Sequence, residues 1–299
     1  MSKQADSQVI TDAMNYMKDL MQKQTLPGIS LCAIDTLNYV LDHTKATVSH
    51  ELDHELKGTI EHLKKAYPSS LTLECTCDLY LHFINLNTPS NDINTNVKNF
   101  RESGKILQSR LLRCRDRIVS NCRSFVRPSI TIMTHGLSMV VCGILLSHKD
   151  TQFKLIVTEG CPFQYGKQTV DYLVSHGAKF TIEIIPDSAV AYKMKEVDYV
   201  LVGSQTLVKT GGSINSIGTY NIAIIAKYYN VPVYVAAECF KFSNNYPIEQ
   251  TSVNTVTDEQ GKKALLYDYT PPELISLIFS DLYVSTPSAV ADELIKLYG

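Results

Sequence analysis

Between Ile93 and Phe125, apolar or small residues recur at steps of three and four: Ile93, Val97, Phe100, Gly104, Leu107, Leu111, Cys114, Ile118, Cys122 and Phe125. An α-helix, which sets side chains three and four positions apart on one face, buries such a set together. Ser90, Asn91 and Asp92 are capping types at its start, and Pro128 stands where the helix can no longer continue. Beyond Ser129 the pattern changes to short β-branched runs. This long helix therefore closes a helical first part and marks where a different architecture begins.

Ahead of it, helices are expected at about 7–23, 29–43, 48–66 and 70–86, separated by Leu26-Pro27-Gly28, a polar break near Thr44, and Pro68-Ser69-Ser70. After it, strands are expected at Ile130–Thr134, Lys154–Thr158, Lys179–Ile185, Tyr199–Val202 and Val233–Ala236. Strands apolar at consecutive positions need cover on both faces, and helices between them make the crossovers of a parallel sheet. The expected fold is α/β: an N-terminal helical bundle over 1–128, followed by a Rossmann-like, mostly parallel doubly wound sheet domain over 129–299. Ser243–Gly261 reads as a surface loop. Leu274, Ile275, Leu277, Ile278, Leu282 and Val284 form an apolar stretch that serves core packing and, as the favoured reading, assembly. Gly203 and Gly211-Gly212 supply neither dinucleotide-fingerprint nor Walker spacing.

Charge excludes some functions. With 28 Lys and Arg against 30 Asp and Glu, the formal charge of -2 gives no whole-chain attraction to nucleic acid, so no direct nucleic-acid partner is expected. The start lacks the apolar stretch of a secretory signal, and the longest apolar run, Leu137–Leu146, is about half a membrane span. A cytosolic protein with reduced, mostly buried thiols and no membrane partner is expected. Cys75-Thr76-Cys77 has neither CxxC spacing nor a spaced histidine, so no metal site and no cofactor are expected.

Ligands of open parallel sheets collect at the carboxyl ends of the strands. Four polar or glycine-rich segments follow expected strands or open a helix: Thr134-His135-Gly136, Glu159-Gly160-Cys161-Pro162, Gly203-Ser204-Gln205 and Asn215-Ser216-Ile217-Gly218-Thr219. Gly218 and Thr219 at a helix start can offer N–H groups and a hydroxyl to a phosphate. The structural alternative is equally concrete: His135 satisfies a loop carbonyl, and Thr219 caps its helix.

Val157-Thr158-Glu159-Gly160 with Pro162 and Gly166, Asp187-Ser188-Ala189-Val190-Ala191-Tyr192, Val202-Gly203 and Asn215-Ser216-Ile217-Gly218-Thr219 resemble, in order and spacing, one family. It unites initiation factor 2B subunits with methylthioribose-1-phosphate and ribose-1,5-bisphosphate isomerases. Glu238-Cys239-Phe240-Lys241-Phe242, Tyr267-Asp268-Tyr269-Thr270-Pro271-Pro272 and the run from Thr286 to Tyr298 are similar to its alpha-type members. The resemblance implies a sugar-phosphate cleft lined by Thr134, His135, Glu159, Gly203, Asn215, Gly218, Thr219, Asn221 and Lys241. It also implies that the isomerases' reactive cysteine and aspartate fall at Gly136 and Gln205 here, residues that cannot exchange a proton near neutral pH. Cys142 and Cys161 lie nearby in sequence but off the motif position. Ser216 and Met139 stand where relatives commonly carry lysine and arginine, which removes cations from an anion site.

What the resemblance implies is a non-catalytic regulatory subunit of the guanine-nucleotide exchange complex for initiation factor 2, active in the integrated stress response. Its partners would be a second copy in a homodimer, the beta and delta subunits, and the phosphorylated alpha subunit of initiation factor 2. A sugar phosphate or nucleotide is a further ligand of the cleft, and a sugar-phosphate isomerase or a metabolite sensor is the rival function. Lys105, Arg110, Arg113, Arg115, Arg117, Arg123 and Arg127 give the long helix a basic character. This is either a solvated face or a contact for a phosphorylated partner.

Overall fold

A computed structural model describes residues 8–23, 28–85, 92–243, 250, 256–257, 263–292 and 294. The chain divides into two compact units at Arg113–Cys114, within one long helix.

The first unit is helical: α1 (Gln8–Lys23), α2 (Ile29–His43), α3 (Ser49–Ala66), α4 (Leu71–Asn85) and the start of α5 (Ile93–Asn121). Of the expected capping residues, Ser90 and Asn91 lie outside the described residues. Asp92 does cap α5, its carboxylate accepting from the N–H groups of Asn94 and Thr95 at 3.2 and 3.0 Å. Gly104, Leu107 and Leu111 are buried on the helix face read from the sequence. Gly104 has a packing reason: a Cβ there would stand 2.0 Å from Asn38 Oδ1, which accepts the Tyr80 hydroxyl at 2.9 Å.

The second unit is built on a seven-stranded sheet ordered β13-β12-β7-β4-β1-β2-β3. Its strands are β1 (Thr131–Thr134), β2 (Lys154–Thr158), β3 (Thr181–Ile185), β4 (Tyr199–Gly203), β7 (Val233–Ala236), β12 (Leu277–Phe279) and β13 (Val284–Ser285). All neighbours pair in parallel except β12 and β13. Helices α6 (Met139–Leu146), α7 (Tyr165–Ser175), α8 (Val190–Lys193) and α9 (Thr219–Tyr229) lie between strands. The inner strands β1, β2 and β4 are buried at consecutive positions, the mark of a sheet covered on both faces. Edge strand β3 instead exposes Thr181 and Ile184 and carries Glu183, which pairs with Lys154 and Lys193 at 2.8 Å each; such charge discourages edge-to-edge pairing. Ile118, Cys122 and Val126 pack into the same core as Val140, Leu145, Leu155 and Phe279.

A second sheet, ordered β11-β6-β5-β8, was not legible beforehand. It consists of β5 (Thr206–Val208), β6 (Ser213–Ser216), β8 (Phe242–Ser243) and β11 (Tyr267–Thr270), and a small ribbon pairs β9 (Val256–Thr257) with β10 (Lys263–Ala264). The stretch read as a loop from Ser243 thus carries strand residues at its start and at Val256–Thr257. The apolar C-terminal stretch contributes Ile275, Ile278 and Phe279 to the core, while Leu282 remains 38% exposed.

Candidate functional site

From β1 the chain proceeds outward through β2 to β3, then returns to place β4 on the other side of β1. The strand order reverses between β1 and β4, and doubly wound sheets generally take ligands at the carboxyl ends of the strands on either side of such a reversal. Thr134 ends β1 and Gly203 ends β4. Gly203 is required by proximity, since a Cβ would lie 2.5 Å from both Cβ and Oγ of Ser138, the N-cap of α6.

His135, 2% exposed, ties three segments together. Its Nε2 lies 2.9 Å from the Ile217 carbonyl and its Nδ1 2.6 Å from Thr158 Oγ1. A carbonyl only accepts, so Nε2 carries the proton and Nδ1 accepts the threonine hydroxyl. Burial holds the imidazole below its ordinary pKa despite the Ile217 carbonyl and Asp187, whose Oδ1 is 3.9 Å away, so the ring is neutral. Both ring nitrogens are engaged within the protein.

The amino end of α9 is engaged too. Asp268, from β11, accepts the N–H groups of Gly218 at 2.7 Å and Tyr220 at 3.0 Å on its Oδ2, the place an incoming phosphate oxygen would take. Burial raises the Asp268 carboxyl to about 6 even though these N–H groups favour the charged form. Thr219 Oγ1 donates to the Ser216 carbonyl and accepts from Asn215 Nδ2. Asn221, in the first turn of α9, is exposed. Lys241 Nζ donates to the Ser204 carbonyl at 2.9 Å and pairs with Glu238 Oε2 at 2.9 Å; Arg115 Nε approaches Glu238 Oε1 at 3.3 Å.

Glu159 is exposed at the end of β2. Its loop is fastened by Asp187, whose two carboxylate oxygens accept from Gly160 N at 3.0 Å and Cys161 N at 2.8 Å. Gly166 supports the same loop: a Cβ there would stand 2.0 Å from the Thr158 carbonyl oxygen.

The positions singled out for chemistry offer little. Gly136 has φ 77°, the left-handed region that disfavours any side chain, and its carbonyl accepts from Thr169 Oγ1 at 2.9 Å. Gln205 carries a neutral amide at the start of the second sheet, its N–H donating to the Ile214 carbonyl. Burial pushes the Cys142 thiol up to about 12, so it is inert. Cys161 is exposed, but residual desolvation and the Asp187 and Glu159 carboxylates raise its thiol as well.

The sequence pattern of the initiation factor 2 subunit family matches residues 22–287. The chain belongs to the initiation factor 2 subunit family. A translation initiation factor eIF2B subunit alpha from Dictyostelium discoideum is 34% identical over 94% of this chain and 95% of its own. A methylthioribose-1-phosphate isomerase from Trichoplax adhaerens is 24% identical over 92% of this chain and 85% of its own. In structure, a chain of the tetrameric eIF2B-beta2-delta2 complex from C. thermophilum superimposes with a TM-score of 0.81 at 16% identity, covering 98% of this chain and 96% of that one, which establishes the fold.

In this family member, His135 meets Ile217 beside Gly218, Asn215 meets Thr219, and Lys241 meets Ser204 beside Gly203, while Glu159 and Asn221 are exposed. Asp268, Glu238 and Asp187, which engage Gly218, Lys241 and the loop after Glu159, were not singled out as site residues. All three did stand within motifs quoted for the resemblance, but only the fold reveals what their carboxylates grip. Among the described residues, no helix is long and apolar enough to cross a membrane.

Proposed function

We propose that this chain is a non-catalytic regulatory subunit of the guanine-nucleotide exchange complex for translation initiation factor 2, acting in the cytosol. It would pair with a second copy, join beta and delta subunits, and sense the phosphorylated alpha subunit of the factor. The observation that carries this reading is 34% identity to an alpha subunit through nearly the full length of both chains, against 24% to an isomerase. The switch point agrees with it: Gly136 has no side chain, Gln205 does not ionise, and neither neighbouring thiol is activated.

The expected outcome of a coupled assay on methylthioribose-1-phosphate and ribose-1,5-bisphosphate is no turnover, because loss of general acid–base groups alone removes about 10²- to 10⁴-fold in rate. Measurable turnover by pure protein would overturn the reading. For sensing, the exposed Arg113 and Arg117 on α5 are the groups to reverse in charge. The variant R113E/R117E is expected to lose binding to the phosphorylated factor and to keep binding the unphosphorylated one, since guanidinium forks grip phosphate oxygens. Equal losses for both forms would end the phosphate-sensing idea.

We also propose that Thr134, His135, Glu159, Gly203, Asn215, Gly218, Thr219, Asn221 and Lys241 retain a weak site for a sugar phosphate or nucleotide. The placement of Thr134 and Gly203 at the ends of β1 and β4, with His135 against Gly218 and Lys241 on Ser204, supports it. Weak affinity follows from the donors already engaged by Asp268, Glu238 and the Ile217 carbonyl. Hexose phosphates and nucleoside phosphates are expected to raise the melting temperature only at millimolar concentration, and no rise there rules the site out.

A further inference from the structure

Away from the switch point, three donor side chains from distant parts of the sequence converge inside the second unit. Cys114 belongs to α5, Cys239 opens the turn after β7, and Asp281 sits in the turn between β12 and β13. Their ligand atoms all lie within 4.8 Å of one another. The residues are 1%, 9% and 7% exposed. Asp281 Oδ1 is held in place by the Cys239 N–H at 2.7 Å. We propose that Cys114, Cys239 and Asp281 form a binding site for a thiophilic divalent cation, with zinc as the physiological ion of that class. This goes beyond the regulatory role and does not depend on it.

Chemistry favours a cation over the other fate of paired thiols. Two sulfurs and a carboxylate oxygen match zinc's ligand preferences, with sulfurs at about 2.3 Å and oxygen at about 2.0 Å, leaving a fourth position for water. A disulfide would have no use for Asp281, whereas a cation takes all three groups and displaces the thiol protons as it binds. Charge closes as well. Two thiolates, one carboxylate and a dication leave one negative charge, and the adjoining Arg115, Lys241 and Glu238 supply one net positive charge. The cluster was not legible in the sequence because its members share no short spacing.

The test uses the full chain, purified under thiol reductant without chelator. Cadmium titration is expected to give a thiolate-to-metal charge-transfer band that saturates at one ion per chain. Cys239→Ser and Cys114→Ser are expected to abolish the band, and Asp281→Asn to weaken binding at least about tenfold. Cys161→Ser, which removes the exposed thiol, is expected to leave it unchanged. If the cysteine variants do not fold, wild-type protein decides: one equivalent of zinc raises the melting temperature and excess magnesium does not. No ion bound, a band that survives Cys239→Ser in folded protein, or a Cys114–Cys239 disulfide recovered from the untreated chain overturns the proposal.

Discussion

Replacing Glu238 by glutamine is expected to destabilise the second unit by about 3 kcal/mol at neutral pH. The Glu238 side chain is 2% exposed and stands between Lys241 Nζ at 2.9 Å and Arg115 Nε at 3.3 Å. Burial alone would push its carboxyl up, but Lys241 and Arg115 together outweigh burial and hold it below the ordinary 4.5. Glutamine preserves the shape and removes the charge, leaving two cations without their counter-ion. Loss of one partner of a buried pair is worth roughly 3–5 kcal/mol; Arg115 is a third exposed and can rehydrate, which places this case at the low end. The sign of the pH dependence follows from the lowered folded pKa. Glu238's contribution is fully present above its unfolded value and disappears as pH falls through the folded one. Urea denaturation should therefore show a wide gap between wild type and E238Q at neutral pH, closing in acid. Adding Lys241→Met to E238Q should recover part of the loss, because the two side chains are directly coupled. Equal midpoints at neutral pH, or a gap that persists unchanged in acid, would refute the account.

This ion network illustrates which parts of the molecule the sequence discloses. The helices of the first unit and β1, β2, β4 and β7 were readable because each buries a periodic or continuous apolar set, and β3 through its β-branched Thr181, Ile182, Ile184 and Ile185, although it buries only the last. Strands β5, β6, β8 and β11 were not, for they are two to four residues long and draw on Ser213, Asn215, Ser216, Thr206 and Asp268. Such residues normally mark turns, and only pairing with a remote strand makes them a sheet. The site divides the same way. Gly166 and Gly203 could be recognised as motif glycines, yet the reason for each, a carbonyl at 2.0 Å from its missing Cβ or Ser138 at 2.5 Å, is a property of the fold. His135 and Thr219 could be placed at strand and helix ends. That the protein itself satisfies them depends on Thr158, Ile217, Ser216 and Asn215, whose distances no spacing rule reports.

Asp268 should act on stability in the direction opposite to Glu238. Its carboxyl is raised from 3.8 to about 6 because burial outweighs the two N–H groups it accepts. The folded protein therefore holds this proton more tightly than the unfolded chain. Stability from Asp268 is fully present below its unfolded pKa and is lost as pH rises through about 6, a change of about 3 kcal/mol at 1.36 kcal/mol per pKa unit. Asp268→Asn keeps an oxygen for the Gly218 and Tyr220 N–H groups but cannot ionise. Its stability should be flatter than wild type between about 4 and 6, the window set by that shift. Asp268→Ala removes the acceptor and leaves two helix N–H groups without it, a loss of about 2 kcal/mol at the amino end of α9. Denaturation midpoints across this pH range separate the two contributions, since Glu238 titrates below its ordinary value and Asp268 above. If Asp268→Asn tracks the wild-type pH profile throughout, the carboxyl is ionised across the window, and the α9 N–H groups outweigh burial after all.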